Sequence, residues 1–385
     1  MKTSDFTAKT PGKVIKTLRG YRAFVPDPLP PNVAWSIRLL AELSKADRSL
    51  AKLAEVGNSF PVPQALMRPF VRKEAVLSSR IEGTRTSFEE LLSYEAGQLR
   101  MFEDPHDAKE VHNYVKAMDY GLERLAALPI SMRLIREIHR ILMQGVRGEQ
   151  LSPGEVRRTQ NWIGPLGATL EAARFVPPPV EEMHDCLKDL ERFIHEESEL
   201  PPLVRIGLIH YQFETIHPFL DGNGRMGRLL VAFLLVNWNL LARPLLYLSN
   251  YFEANRQEYY DRLLAVSQRG EWEAWLTFFL EGVRSQADDA SRRIARLQAL
   301  RTTYSKRFAN ERSRVKLQQM VDYLISTPIT SITQAQEATR LGSFTTMQRH
   351  IEKLEALGIV QEVTGQGRNR IYRAGEILRA LEEKE

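Results

Sequence analysis

A single cysteine, Cys186, stands among the 385 residues. No internal disulfide can form, and a lone thiol suits a reducing compartment. Long apolar runs are missing too. The richest stretch, LLVAFLLVNWNLLA from Leu229 to Ala242, holds two asparagines and falls short of the ~20 apolar residues a bilayer span needs. It reads as a buried core helix. The N-terminus, MKTSDFTAKTPGKVIKTL, has no apolar block of the signal-peptide kind. There is no internal repeat and no low-complexity segment. No histidine pair has metal-ligand spacing with cysteines or acids, which argues against a zinc site; His139 and His210 lie in apolar helical stretches and read as core or supporting groups. The expectation is a soluble cytoplasmic protein with no membrane partner. Charge of neither sign dominates: the formal net is +5 and the pI about 9.2. That balance permits nucleic-acid contact without requiring it.

What is present is mostly helical pattern. Pro26, Pro28, Pro30 and Pro31 bar a regular helix near the start, and residues 1–35 read as loop. From Ser36 the apolar spacing turns helical and stays so through residue 146, with QALMRPFVRKEAVLSSRIEG at 64–83 the stretch that matters below. The pattern breaks at 152–183, where three glycines and five prolines surround two short β-favouring pieces near Asn161–Ile163 and Arg174–Val176. This predicts a loop or short hairpin projecting from a helical body. Helices resume to residue 216, again from 253, and as one long, increasingly charged helix over 271–308. From about Arg314 three further helices follow, the second and third with caps at Ser331 and Ser343. The segment VQEVTGQGRNRIYRAG then alternates about Gly365 and Gly367 as a two-stranded wing would. Thr345, Thr346, Gln348 and Arg349 sit early in the third helix, and Arg368, Arg370 and Arg373 would decorate the wing. The tail thus resembles a winged helix-turn-helix, a fold that binds DNA in some proteins and other protein surfaces in others.

The densest chemistry is IHPFLDGNGRMGR, residues 216–228. Pro218 disfavours helical geometry at His217, so the incoming helix should stop there. Asp221-Gly222-Asn223-Gly224 is turn chemistry, with both glycines suited to positive φ and to close approach of a ligand. The apolar run that follows is a helix, so the turn sits where unpaired N–H groups and the dipole attract anions. Arg225 and Arg228 share one face of the first turn. Two cations at that end call for an anion, and phosphate is the natural one. Asp221 is a hard oxygen ligand suited to Mg²⁺ on a nucleotide. His217 is a general base near neutral pH, and Phe219 should anchor the loop in the core.

His217-Pro218-Phe219-Leu220-Asp221-Gly222-Asn223-Gly224-Arg225-Met226-Gly227-Arg228 resembles the Fic-domain signature HPFx[DE]GNGRxxR without a departure. HYQFETIHPF before it, RRTQNWIG…FVPPP upstream and YLSNYFEANRQEYYDRL downstream extend the resemblance over roughly residues 60–285. It implies a helical Fic core with a short β-hairpin flap. It also implies transfer of AMP from ATP to a Ser, Thr or Tyr hydroxyl of a protein, possibly this protein itself, with release of pyrophosphate. On that resemblance His217 takes the hydroxyl proton and Asp221 holds Mg²⁺. The ATP-binding set is Asp221, Gly222, Asn223, Gly224, Arg225, Met226, Gly227 and Arg228, with Arg228 nearest the γ-phosphate. Trp162 and Ile163 belong to the flap that aligns the target by strand addition, and Tyr259 and Tyr260 fall where the family contacts adenosine.

A second stretch, VLSSRIEGT at 76–84, puts Glu74, Ser78 and Glu82 on one helix face, with Gly83 as a C-cap. Glu82 is then an acid in the last turn, where the dipole disfavours it. Ser78-x-x-x-Glu82-Gly83 resembles the family's inhibitory pattern [ST]xxxE[GN]. The resemblance implies that Glu82 pairs with Arg228 and blocks productive ATP binding. The reading is a mainly α chain divided as 1–100, with the inhibitory helix; 101–284, the Fic domain; 285–312, a helical linker; and 313–385, the winged helix-turn-helix. A DNA-binding regulator that uses the nucleotide site as a sensor, or an enzyme that removes AMP or transfers another group, stays open at this stage. A homodimer is expected from what is common among such proteins.

Overall fold

The structure, a computed structural model, describes residues 1–96, 105–164, 167, 169–170, 172–365 and 369–382. The division expected at 100/101 and the wing positions Gly367 and Arg368 lie outside them.

The N-terminal residues are not all loop. β1 (Gly12–Lys16) pairs antiparallel with β2 (Arg22–Pro26), Val14 opposite Phe24. The prolines do bar a helix, but Pro26 stands at the end of β2, where its missing N–H breaks no inner rung. The hairpin then leans on the irregular arm, with Phe24 N donating to Val176 O at 2.9 Å.

α1 (Ile37–Ser59) is capped by Ser36, whose Oγ accepts from Leu39 N at 3.1 Å. α2 (Pro63–Ile81) opens on a proline, at a position that needs no N–H, and buries Glu74 and Ser78 among apolar neighbours. α3 (Phe88–Glu95) opens on a capping box between Ser87 and Glu90. α4 (Pro105–Arg124) and α5 (Met132–Leu142) complete the first layer. Between α5 and the next helix runs the irregular arm. Its strand pairing, among the described residues, is a bridge in which Ile163 and Phe175 exchange N–H···O bonds of 2.9 and 3.0 Å.

α6 (Val180–His195), α7 (Pro202–Ile216) and α8 (Asn223–Asn237) follow. α7 and α8 are buried along most of their length, as central helices are. α9 (Ser249–Ala254) and α10 (Arg256–Arg269) lead into α11 (Trp272–Arg307), which packs along α1. Ile294, Leu297 and Tyr304, in its second half, are buried in the same core as the body.

The tail comprises α12 (Arg314–Ser326), β3 (Ile329–Ser331), α13 (Ile332–Thr339), α14 (Phe344–Ala356), β4 (Gln361–Glu362), β5 (Ile371–Arg373) and α15 (Gly375–Glu382). Its antiparallel sheet runs in the order β3-β5-β4. Ser331 and Ser343 cap α13 and α14. α15 was not foreseen; it holds by burying Ile377, Leu378 and Leu381 against the rest. α12 packs on α2, β3 on α3 and α15 on α11, so the tail shares the body's core. Among the described residues the chain is mainly α with two small antiparallel sheets. Among the described residues no helix is long and apolar enough to cross a membrane.

Candidate active site

The loop between α7 and α8 carries the motif. α7 stops at Ile216, and His217 turns left-handed with φ 50°, a conformation that costs a non-glycine residue roughly 1–2 kcal/mol. The protein holds it from several sides. His217 O accepts from Arg157 Nε and from Asn161 Nδ2, each at 3.0 Å. Asn161 Nδ2 also donates to Phe219 O at 2.8 Å. Phe219 is fully buried and stacks on His139, ring centroids 3.7 Å apart. His139 Nδ1 accepts from Gly154 N, so its Nε2–H donates to Asp221 O at 2.9 Å. Burial drops the His139 pKa to about 4 and keeps it the neutral donor this requires. The polar contacts of Arg157, Asn161 and His139 were invisible in spacing, because their partners are backbone atoms on another loop.

Gly222 has φ 78°, the left-handed turn its position demands. Gly224, expected to share that conformation, is helical instead, in the first turn of α8. Its missing side chain serves close approach: an added Cβ would overlap Glu82 Oε1. Gly227 is bare for a similar reason, with the Glu214 carboxylate pressed against it. Asn223 uses both ends of its amide on Phe219, accepting from its N at 2.9 Å and donating to its O at 2.8 Å. It therefore staples the turn. The Met226 side chain is fully buried, so only its backbone can face a ligand.

Arg225 and Arg228 part company. Arg225 is 1% exposed and donates to Glu110 Oε2 on α4 at 3.1 Å, with Asp221 Oδ1 3.7 Å away. Glu110 is a partner that helical spacing alone does not flag. Arg228 reaches the 76–84 stretch: Nε donates to Ser78 Oγ at 2.8 Å, and Nη2 to Ser78 O at 3.0 Å and to Glu82 Oε1 at 2.6 Å. Glu82 caps α2 and Gly83 follows at φ 109°. Burial pushes the Glu82 carboxyl up, but Arg228, with Arg225 and His217, outweighs it and holds the group below the usual range.

His217 Nδ1 donates to Glu214 O at 3.1 Å, which leaves the lone pair on Nε2. Burial, aided by Arg157, lowers its pKa to about 4, against smaller opposing effects. Two more carboxyls crowd Arg228. Burial lifts Glu74 and Glu214 each to about 7, with Arg228 only partly offsetting it. Glu74 accepts from Tyr114 Oη at 3.2 Å and from Ser249 Oγ.

Tyr259 is 1% exposed, stacks on Phe252 and donates to His210 Nε2 at 2.8 Å. It supports the pocket from behind. Tyr260 is half-buried and lies near Glu82, with Arg256 over its ring at 6.0 Å. Trp162 is 42% exposed beside the bridge residue Ile163. Asp221 keeps a partly exposed carboxylate at the pocket mouth, its Oδ1 accepting from Gly222 N at 2.6 Å. Among the described residues no cluster of three or more potential ligands forms a metal cage. The partly exposed Asp221 carboxylate is a hard oxygen donor of the kind that fits Mg²⁺.

An imidazole, a glycine turn and two buried arginines thus meet at the start of α8. Residues 129–235 match the Fic/DOC family, and residues 40–123 match the Fic/DOC family N-terminal region. The protein adenylyltransferase Fic of Drosophila erecta is 32% identical over 146 residues, 36% of this chain and 27% of that protein. The protein adenylyltransferase fic-1 of Caenorhabditis elegans is 32% identical over 134 residues, 32% of this chain and 24% of that protein. The chain spans about a quarter of the length of these curated relatives. A Fic family protein from Desulfovibrio desulfuricans G20 shares the fold with a TM-score of 0.57 and 19% identity, over 90% of this chain and 98% of that one. Fic-1 of C. elegans does so with a TM-score of 0.51 and 24% identity, over 69% and 74%.

Proposed function

We propose that this chain transfers AMP from ATP to a hydroxyl side chain of a protein, and that Glu82 restrains the reaction. The observation that carries this reading is the placement of one loop. Residues 217–228 join an imidazole whose Nε2 keeps its lone pair to a helix start whose arginine is held by a carboxylate from α2. The relatives named adenylyltransferases support the reaction class.

In this reading the phosphates lie on the first turn of α8, whose N–H groups lack intrahelical partners. Nε2 of His217 takes the proton of the target hydroxyl. The oxygen bonds to Pα as the bond from Pα to the bridging oxygen breaks, and pyrophosphate leaves with that electron pair. Mg²⁺, when bound with ATP, neutralises phosphate charge and stabilises the leaving group. Arg228 supplies positive charge for the γ-phosphate once Glu82 withdraws. Arg225, closed off by Glu110, orients Asp221 from behind. A target strand adds to the flap at Ile163, and Tyr260 borders the nucleotide. With Glu82 in place, a phosphate at Arg228 would meet a like charge. At about 4 Å and an effective dielectric of about 20 that costs roughly 4 kcal/mol.

The reading is tested by incubating Glu82→Gly protein with each of the four nucleoside triphosphates and Mg²⁺, and weighing the intact chain. It expects a gain of one AMP, lost in Glu82→Gly/His217→Ala. No gain with any nucleotide, or a gain that survives loss of His217, overturns it.

A second reading, a DNA-bound regulator that senses nucleotide with the same cradle, is favoured by the tail. The feature behind it is a small three-stranded sheet beside α12, α13 and α14, with Thr345 and Arg349 exposed on α14. It requires retardation of upstream duplex DNA with a steep salt dependence.

A further inference from the structure

Arg157 and Asn161 lie outside the motif, yet both aim at one atom of the base residue, the His217 carbonyl. They are 2% and 8% exposed. Arg157 has no carboxylate partner among the described residues. Its guanidinium donates to the carbonyls of His217, Thr159 and Pro178, and its own N donates to Pro218 O at 2.9 Å. Burial lowers its pKa to about 10. A buried guanidinium without a counter-ion is costly, so the backbone geometry it fixes must be held tightly. That geometry is the left-handed turn at His217. Two residues beyond Asn161, Ile163 forms the bridge to Phe175, with exposed Trp162 between them. The strand on which a target would pair and the imidazole that would take its proton are therefore fastened at the same carbonyl.

We propose that Arg157 and Asn161 are positioning residues that set the His217 imidazole in register with the flap strand. The proposal rests on the adenylyl-transfer reading. In the Glu82→Gly background, Asn161→Ala should lower turnover at saturating ATP by about 10- to 100-fold, the scale of a misplaced reacting group. The ATP dissociation constant by calorimetry should change less than about twofold, because the cradle keeps its own anchors at Asn223 and His139. Arg157→Lys, which keeps a donor, should retain more turnover than Arg157→Ala. In the ¹⁵N spectrum of labelled histidine, the His217 Nδ1–H signal should shift in Asn161→Ala, which needs no turnover to be read. Equal losses of turnover and ATP affinity, full turnover in a folded Asn161→Ala variant, or an unmoved His217 signal overturns the proposal. If the Glu82→Gly parent binds ATP and labels nothing, the reaction reading fails instead.

An independent set of contacts carries a second inference. The outer face of α2 and the neighbouring α3 are gripped by the tail. Lys73 Nζ donates to Leu381 O at 3.1 Å, Gln334 Nε2 to Glu95 O at 2.9 Å, and Arg373 Nη2 to Glu89 Oε2 at 3.0 Å. We infer that the tail is the second half of the restraint, holding α2 and so Glu82 against Arg228. Arg373→Glu with Gln334→Ala should speed hydrogen exchange in residues 74–82 and raise ATP affinity part of the way to that of Glu82→Gly. Arg373→Glu alone should give part of both effects, and adding Glu89→Arg to it should reverse that part. Unchanged exchange and affinity in the folded variant, with Glu82→Gly itself binding tightly, overturns the inference.

Discussion

Glu82 and Arg228 stand 146 positions apart in the chain and meet at 2.6 Å. Arg228 is buried, and Ser78 takes two further of its hydrogen bonds. The pair therefore couples the end of α2 to the first turn of α8.

On the proposed reading, removing the carboxylate frees the guanidinium for phosphate. Glu82→Gly should bind ATP roughly 10²–10³-fold more tightly, the affinity equivalent of a like-charge penalty of about 4 kcal/mol. Glu82→Gln keeps the shape without the charge and should fall between. Calorimetric titration checks both; affinities equal to that of the wild type contradict the restraint.

Gly224 offers a test by packing. A Cβ there would overlap Glu82 Oε1. Gly224→Ala should destabilise the wild type by about 1–3 kcal/mol and cost much less in Glu82→Gly, a non-additivity readable from denaturant midpoints. Additive effects would show that Glu82 does not lie over Gly224 in solution.

The pH profile follows from the imidazole. The His217 pKa is lowered to about 4, chiefly by burial, so the neutral base persists throughout pH 5–8. The labelling rate of Glu82→Gly at pH 6 should stay within about twofold of that at pH 7.5. Half-loss near 6.5 would mean an ordinary, solvated histidine.

Glu74 bears on stability. Burial lifts its carboxyl to about 7 from 4.5. The fold keeps the proton that the unfolded chain has already lost. Stability from this group is therefore full below 4.5 and lost as pH rises through 7, by up to about 3 kcal/mol. Glu74→Gln, which stays neutral, should melt a few degrees above the wild type at pH 8 and level with it at pH 5. A wild-type melting temperature that does not fall over that range contradicts this.

Much of this site was legible in the chain because its parts are local. Pro218 stops α7, Gly222 turns, and the apolar run after it is α8. Ser78 and Glu82 share a face by spacing alone. What stayed hidden depends on partners far away. Glu110 meets Arg225 across 115 positions, and Asn161 reaches His217 across 56. The family resemblance places Tyr259 by the adenosine; in the fold it packs on Phe252 and bonds His210, partners 7 and 49 positions away. β1 and β2 were masked by prolines that exclude helix but leave an edge strand possible. α15 is short, and burial rather than propensity holds it.

The central claim is that residues 217–228 grip the phosphates of ATP while His217 readies a hydroxyl to attack Pα. Glu82→Gly protein incubated with Mg²⁺ and ATP labelled at either the α- or the γ-phosphate tests it directly. The account predicts protein-bound α-label, free labelled pyrophosphate from the γ-label, and neither in Glu82→Gly/His217→Ala. Retention of the γ-label on protein, or no transfer of either, would contradict it.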